Sequence, residues 1–181
     1  RQVADQLDLP FYVVDARAAF EQSVISPFLS GYAQGLTPNP CIECNRSIRW
    51  GVLLEHALAF GATHLATGHY ARVEDLDGGH ILRTGLDARK DQSYVLHVLT
   101  QSHLAHAIFP LGELTKEQVR AHARELRLPV ADRHESQDLC FVDGDYRAFL
   151  AARGVAPNPG PILGLEGEHL GQHSGLAHYT L

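Results

Sequence analysis

The chain has 181 residues, of which 15 are lysine or arginine and 21 are aspartate or glutamate, so its formal net charge is −6. This acidic balance excludes a generic nucleic-acid coat protein, and any contact with nucleic acid has to be local. The apolar runs fall well short of the ~20 residues that cross a bilayer, and no secretory signal is visible, so we expect a cytoplasmic protein without a membrane segment.

The first half of the chain alternates between short apolar runs and helical patterns. Residues 11–14 and 63–67 are predicted to be buried strands. Residues 18–29 are predicted to form a helix, and apolar residues recur at helical spacing over residues 48–60. Strands that alternate with helices predict an α/β fold in which a parallel sheet is flanked by helices.

The second half begins with a predicted β-hairpin over residues 70–85, because alternating residues flank the turn sequence Asp77-Gly78-Gly79. Four further segments are predicted to be helical: 91–99, 102–108, 115–126 with a capping-box start, and 145–152. Proline and glycine in residues 157–161 then break regular structure, and a strand-like remainder follows. We therefore predict a domain over residues 1–156 and the start of a small β-rich domain over residues 157–181.

Two of the three cysteines, Cys41 and Cys44, lie directly after a proline-stiffened loop. The two prolines of Thr37-Pro38-Asn39-Pro40 fix their own backbone and bias the residue before each toward extended geometry, so this segment is predicted to be a rigid, non-helical loop. The helix that follows is predicted to begin at Asn45 or its neighbours.

A thiol at that helix start is placed to ionise, because unpaired amides, the helix dipole and the charges of Arg46 and Arg49 favour the thiolate. Two plainer interpretations of the C-x-x-C sequence remain open. The cysteines could be incidental to an ordinary turn. They could also form half of a structural zinc site, to which some of the 12 histidines would contribute, although no second C-x-x-C exists.

Three further segments carry candidate site residues. Gly68 follows a predicted strand, at the sheet edge where ligands bind, and its lack of a side chain lets the backbone approach a nucleotide. Arg89 and Lys90 precede a predicted helix start and could hold phosphate. The plain alternatives are a strand-ending turn with a packed His69, a solvated pair of cations and, for Cys140 in its apolar run, a buried inert thiol.

Four motifs in one order resemble those of the tRNA-specific 2-thiouridylases, which convert the wobble uridine of certain tRNAs to 2-thiouridine. They are T-P-N-P-C-x-x-C-N, A-T-G-H-Y-A-R, K-D-Q-S-Y and S-Q-D-L-C-F-V. The resemblance covers nearly the whole chain and implies an ATP-pyrophosphatase-type α/β domain, similar to the adenine-nucleotide alpha hydrolases. It also implies ATP with Mg²⁺ as cofactor, adenylation of the uridine C2 oxygen, and displacement of AMP by sulfur from a cysteine persulfide.

The resemblance further implies roles for individual residues. By motif match, Cys44 corresponds to the nucleophilic cysteine and Cys140 to the cysteine that carries persulfide sulfur. Gly68 corresponds to an ATP contact. Seven residues match positions that bind tRNA, the first three of them at the target base: Asn39, Pro40, Cys41, His69, Lys90, Asp91 and Gln92.

The implied partners are tRNA and a sulfur-donor protein, either a cysteine desulfurase or a relay protein. The family's phosphate-gripping S-G-G-x-D-S loop and its C-terminal β-barrel do not occur in this sequence, so we expect an internal piece of a longer enzyme that is inactive alone. Two alternatives stay open. One is an iron–sulfur-dependent tRNA thiolase with Cys41, Cys44 and Cys140 as cluster ligands. The other is a non-catalytic tRNA-binding or zinc-stabilised module.

Overall fold

The computed structural model describes residues 1–132, 139–155 and 158–179. The chain divides into two compact units. The first comprises Arg1–Phe20 and Cys41–His134, and the second comprises Glu21–Pro40 and Glu135–Leu181. Each unit therefore combines separated parts of the sequence. The domain boundary predicted after residue 156 stays a prediction.

The first unit contains the predicted parallel strand pairing in a short form. Leu65–Ala66 pairs in parallel with Ala107–Ile108. The predicted hairpin is confirmed, since Ala71–Leu76 pairs antiparallel with Gly79–Thr84. Gly78 in the hairpin turn has a φ of 101°, which glycine adopts without steric cost. The α/β class predicted from the alternation of elements is confirmed.

Helices supply most of the remaining regular structure of this unit. They span Gln2–Gln6, Arg17–Phe20, Pro40–Glu43 continued by Cys44–Leu53, Leu54–Ala59, Gln101–Leu104 and Lys116–Glu125. The predicted capping box at the last of these is confirmed: Thr115 Oγ1 accepts from the Gln118 amide, and Gln118 Oε1 accepts from the Thr115 amide. No helix in the described part of the chain is long and apolar enough to cross a membrane.

Two of the predicted helices are wrong in extent. Residues 91–99 form only the single 3₁₀ turn Ser93–Val95. The cause is Asp91, whose carboxylate accepts hydrogen bonds from the Ser93 amide and hydroxyl and so competes with helical bonding. Residues 102–108 are helical only as far as Leu104, because Ala107–Ile108 is bonded into the parallel strand pair.

The predicted strand over residues 11–14 is also wrong. A strand needs a neighbour to pair its backbone groups, and none of the described residues forms a ladder with this segment. Its apolar side chains remain accessible, with Val13 83% exposed. Tyr12 makes one specific contact, a stacked arrangement with the Phe60 ring at a centroid distance of 5.4 Å.

The core of the first unit connects the cysteine-bearing helix to the strand end at His69. It consists of Trp50, Leu54, Ala71, Val95, Leu96, Ala107 and Phe109. The Trp50 ring meets Phe109 edge-on with centroids 5.8 Å apart, and Phe109 meets the His69 ring in the same way at 6.0 Å. Aromatic packing of this kind holds ring positions firmly. The core therefore fixes His69 relative to the helix.

The second unit combines helices with a small antiparallel strand pair. Its elements are Glu21–Ile25, Ser26–Ala33, Tyr146–Ala152, the strands Gly160–Leu163 and His169–His173, and a 3₁₀ turn at Leu176–His178. The two strands pair with each other, as the predicted β-rich character requires. Phe28, Leu150 and Ala177 form the core, and the Phe28 ring lies edge-on to Phe141 at 5.4 Å.

Candidate active site

The helix that carries Cys41 and Cys44 begins earlier than predicted. It starts at Pro40 rather than near Asn45, because the first helical position needs no amide donor and suits the fixed φ of proline. Residues 37–39 of the predicted loop are non-helical as expected, whereas Pro40, the last residue of that loop, is the first helical residue. Both cysteines lie in the first turns of the helix as reduced thiols, Cys41 exposed and Cys44 half-buried.

A chain of hydrogen bonds runs from this helix to the strand end. Asn45 is only 1% exposed, and its Nδ2 donates to the Val95 carbonyl oxygen at 3.2 Å. Arg49 Nη1 lies 3.4 Å from Asn45 Oδ1 and 2.8 Å from His69 Nε2. His69 Nδ1 in turn lies 2.8 Å from Thr67 Oγ1. We call these four side chains, Asn45, Arg49, His69 and Thr67, the Asn45–Thr67 network.

The protonation of His69 follows from its partners. A guanidinium only donates, so Nε2 accepts from Arg49 and the ring proton is assigned to Nδ1, which donates to Thr67 Oγ1. Burial, followed by the positive charge of Arg49, lowers the pKa of His69 to about 4. His69 is therefore neutral at pH 7, and the hydroxyl proton of Thr67 is left to donate to another group.

A cavity of about 360 Å³ opens beside this network. It is lined by Arg49, Thr67, Gly68, His69 and Gln92. A β-carbon added to Gly68 would come no closer than 3.8 Å to Leu111 Cδ1, which is an ordinary van der Waals contact. Packing within the protein thus does not require glycine at this position. The open space over Gly68 suits a ligand that lies against the backbone.

Two carboxylates anchor the loop that carries Lys90. The first is Asp87, which is 6% exposed and accepts from the Lys116 amide and the Arg89 amide, both at 3.1 Å. The bond from Lys116 is the main reason that the pKa of Asp87 lies below its ordinary value, and the bond and charge of Arg89 add to it. Asp87 therefore stays ionised and ties the loop to the helix Lys116–Glu125.

Asp91 is the second anchor of this loop. Its carboxylate accepts from the Gly85 amide at 2.8 Å and the Ser93 hydroxyl at 2.7 Å. Partial burial raises the pKa of Asp91, but the hydrogen bonds from Gly85 and Ser93 outweigh it, so the pKa is lowered. Gln92 exchanges hydrogen bonds with the backbone of Tyr70 at 2.9 and 3.2 Å. Asp91 and Gln92, both predicted to bind tRNA, thus also hold their own loop in place.

The second unit has a cavity of about 400 Å³. Pro40 and Leu139 both line it, and they immediately precede Cys41 and Cys140 in the sequence. Three aromatic side chains form another part of its wall: Phe28, Tyr32 and Tyr146. Within this single unit, the loop before one cysteine and the segment before another therefore meet at one cavity. Cys140 itself is exposed, so its predicted alternative as a buried inert thiol is wrong.

The other predicted site residues are distributed over both units. Cys44 belongs to the first unit and Cys140 to the second. Residues 136–138 of the Cys140 motif lie outside the described residues. Within the described ranges, no group of three or more His, Cys, Asp or Glu side chains could hold a metal ion, so the iron–sulfur alternative gains no support.

Sequence reasoning missed two residues of the Asn45–Thr67 network. Asn45 was predicted only to begin the helix, but its polar side chain is buried. Its i, i+4 spacing to Arg49 could have indicated the contact between the two side chains. Thr67 precedes His69 by two residues at a strand end, where a hydroxyl and an imidazole can face each other. The bond between Asp87 and the Lys116 amide carried no local signal, because the two residues are 29 positions apart.

A family model described as "tRNA methyl transferase HUP domain" matches residues 1–144. The chain belongs to this HUP-domain family. It is similar to the tRNA-specific 2-thiouridylases MnmA of Moorella thermoacetica and Thermus thermophilus, each 50% identical over the whole chain, and to that of Chloroflexus aggregans at 51%. The resemblance predicted from the four motifs is thereby confirmed.

The match covers all of the chain but only part of each relative. It spans 52% of the Moorella protein, 48% of the Thermus protein and 51% of the Chloroflexus protein. The chain thus spans about half the length of the curated relatives it matches. The HUP-domain family assignment applies to the chain directly, and the activity of a whole protein is a separate inference.

Proposed function

We propose that the protein containing this chain converts the wobble uridine of tRNA to 2-thiouridine in an ATP-dependent reaction. The observation that carries the proposal is the cavity of the second unit, where the residues preceding Cys41 and Cys140 lie together. Two segments that each lead directly into a cysteine and meet at one cavity suit sulfur transfer, because one thiol must reach a sulfur atom held by another. The similarity to 2-thiouridylases supports the same reaction.

The thiols favour sulfur transfer over the methyl transfer named in the family description. Methyl transfer to a uridine atom does not need two cysteines on separate segments. Transfer of persulfide sulfur does, since one thiol carries the sulfur atom and a second releases it. The aromatic walls of the second-unit cavity also offer a surface on which a planar base can stack.

The proposed chemistry uses ATP as a substrate. The uridine C2 oxygen attacks the α-phosphorus, pyrophosphate leaves, and C2 becomes electrophilic. Cys140 carries a persulfide received from the sulfur-donor protein, and its terminal sulfur attacks C2 and expels AMP. The Cys44 thiolate then attacks the Cys140 sulfur, so that the transferred sulfur stays on C2 and a Cys44–Cys140 disulfide forms. An external dithiol returns two electrons to this disulfide before the next cycle.

Disulfide formation sets a geometric condition for the relay. The two Cα atoms must approach to about 4.4–6.8 Å, and we expect Cys44 and Cys140 to reach this separation after a modest loop shift. Cys44 lies near the start of the helix that begins at Pro40, and it is half-buried. Cys140 is exposed, as a thiol that accepts sulfur from another protein has to be.

The cavity of about 360 Å³ in the first unit is proposed to bind the nucleotide, and Gly68 supports this proposal. The cavity provides a cation, a hydroxyl that can donate, and backbone that no side chain covers at Gly68. These are groups that bind nucleotides in α/β folds. Mg²⁺ would enter with the ATP phosphates. Within the described residues no cluster of carboxylates is available to hold the ion by itself.

The decisive test identifies the product. The full-length protein is incubated with unmodified tRNA, ATP, a cysteine desulfurase with its cysteine substrate, and a dithiol reductant, and the tRNA nucleosides are then separated by mass. We expect 2-thiouridine at the wobble position, formed only when ATP is present. A methylated uridine formed from a methyl donor, or no change in mass with either set of reagents, would contradict the proposal.

Lys90 is proposed to bind tRNA on a loop that Asp87 and Asp91 hold in place. Lys90→Ala in the full-length protein is expected to weaken tRNA binding by roughly three- to tenfold at low salt and to reduce the slope of log K against log salt by about one unit. ATP affinity is expected to stay unchanged. The measurement is a salt titration of tRNA binding by filter retention.

Arg89→Ala is the matched control for Lys90→Ala. Arg89 is adjacent and carries the same charge, and its guanidinium pairs with Glu117 at 3.0 Å. Lys90 matches a tRNA-binding position of the family and Arg89 does not, so the removal of Arg89 is expected to change the salt slope less. An equal loss in both variants would mean that net charge alone attracts tRNA, and an unchanged slope in Lys90→Ala would contradict a phosphate contact.

The two remaining alternatives are weaker. An iron–sulfur mechanism would need three thiolates at one cluster, and the described residues contain no such group. A non-catalytic tRNA-binding or zinc-stabilised module would leave the convergence of two cysteine segments without a role. Metal analysis of the purified full-length protein, together with the product assay, distinguishes both from the persulfide relay.

A further inference from the structure

Arg49 carries a charge that no carboxylate neutralises within residues 1–132, 139–155 and 158–179. Its two hydrogen-bond partners are the neutral acceptors Asn45 Oδ1 and His69 Nε2. Arg46, less than one helical turn earlier, pairs instead with Glu43 at 3.1 Å. A guanidinium without a counter-ion beside a cavity attracts anions. Arg49 can therefore still bind an anion, whereas Arg46 is already paired with Glu43.

The geometry leaves the phosphate-binding edge of Arg49 available. Both contacts, to Asn45 and to His69, use the same terminal nitrogen, Nη1. In the described part of the chain, no hydrogen bond is made by Nε or Nη2, which together carry three N–H groups. These two nitrogens form the edge through which arginine binds phosphate by two parallel hydrogen bonds.

His69 supplies a fixed support for this guanidinium. The imidazole is 4% exposed, packs edge-on against Phe109 and is neutral, so it accepts from Arg49 without repelling it. Asn45, itself bonded to the Val95 carbonyl oxygen, supports the guanidinium from the helix side. An arginine held in this way loses little side-chain entropy when a ligand binds.

We propose that Arg49, with the hydroxyl of Thr67 and the open backbone at Gly68, forms a subsite for a phosphate group in the 360 Å³ cavity, and that His69 is its positioning residue. The identity of the ligand rests on the proposed function, which supplies two sources of phosphate. One is the nucleotide, and the other is the tRNA backbone. Phosphate recognition itself depends only on the geometry around Arg49.

The test measures binding without turnover, by calorimetry on the full-length protein. The probes are AMP, adenosine, which lacks the phosphate, and an unmodified anticodon stem-loop RNA. Arg49→Gln is expected to weaken the binding of AMP at least about tenfold, since it removes charge-assisted bonds. Adenosine affinity is expected to stay within about twofold. A loss confined to the RNA probe would assign the phosphate to the tRNA backbone.

Three further variants separate phosphate binding from folding. Arg46→Gln removes the same charge three residues earlier on the helix, at a side chain paired with Glu43, and is expected to leave AMP affinity unchanged. Arg49→Lys keeps the charge but not the two-nitrogen edge, so an intermediate loss is expected. His69→Phe keeps the ring packing but removes the acceptor for Arg49, and is expected to weaken AMP binding while sparing adenosine. Thermal melts verify that each variant is folded.

Two results would overturn the subsite. One is equal affinity of wild type and Arg49→Gln for both AMP and RNA, and the other is the lack of saturable binding of either probe to the wild type. The proposed function and the phosphate subsite can be contradicted independently of each other. A protein with Arg49-dependent AMP binding that never forms 2-thiouridine would contradict the thiolation proposal and keep the subsite. A protein that thiolates tRNA with Arg49-independent binding would contradict the subsite alone.

Discussion

Replacement of Cys44 or Cys140 by serine is expected to reduce thiolation by the full-length protein about 10³-fold or more, to the limit of detection. Each thiol makes a bond that a hydroxyl cannot make, since Cys140 holds the persulfide and Cys44 forms the disulfide that releases sulfur to C2. Adenylation does not use either thiol. ATP–pyrophosphate exchange in the presence of tRNA is therefore expected to persist at least in part in both variants, while 2-thiouridine is absent from their product.

Cys41→Ser is the matched control, because Cys41 lies on the same helix as Cys44 and its side chain is exposed. In the persulfide relay only Cys44 and Cys140 exchange sulfur, so Cys41→Ser is expected to retain substantial activity. In a cluster mechanism the three cysteines would be equivalent ligands. Full loss of activity in Cys41→Ser, together with loss of bound iron from anaerobically purified protein, would therefore contradict the relay.

The relay also predicts a covalent species that can be isolated. If reductant is omitted after one turnover, a disulfide between Cys44 and Cys140 is expected, detectable as a linked pair of peptides by mass spectrometry. Wild-type protein incubated without ATP is expected to lack it, because sulfur release depends on the activated uridine. A wild-type protein that turns over once and shows only free thiols would contradict the role of Cys44.

Local chemistry explains most of what could be predicted from the sequence. The hairpin around Gly78, the capping box at Thr115 and the non-helical loop before Pro40 depend on residues close in sequence, whose conformational preferences act wherever the chain lies. The motifs carrying Cys44, Gly68 and Cys140 were likewise contiguous. The family could therefore be identified before the fold was known.

The wrong predictions share a dependence on distant partners. Residues 11–14 have the composition of a strand, but a strand exists only with a paired neighbour. Ala107–Ile108 continues a helical pattern, yet pairing with Leu65–Ala66 decides its conformation. The neutral state of His69 depends on Arg49, 20 residues earlier, and on burial. Periodicity carries no information on such contacts, and they also hold the Asn45–Thr67 network together.

The largest expected effect on stability comes from Gly112, where the backbone passes close to the first strand of the hairpin. A β-carbon at this position would lie 1.9 Å from the Ala71 carbonyl oxygen and 2.7 Å from Arg72 Cγ. The Gly112 carbonyl oxygen also accepts from the Leu86 amide at 2.8 Å, so the segment cannot simply move away. Ala71 is fully buried in the core of the first unit. Glycine is therefore required here by packing against backbone, and not by its φ.

Gly112→Ala is expected to destabilise the protein by about 3 kcal/mol or more, because relief of the contact requires a backbone shift within a packed core. For a chain of this size that corresponds to a fall in Tm of roughly 6–12 °C, measured by circular dichroism. Gly51→Ala is the matched control. Its β-carbon would meet only the Arg46 carbonyl oxygen at 3.5 Å, within the helical stretch Cys44–Leu53. There alanine is favoured over glycine by about 1 kcal/mol, so Tm is expected to stay constant or rise. A Gly112→Ala protein as stable as the wild type would contradict the close approach of residue 112 to Ala71.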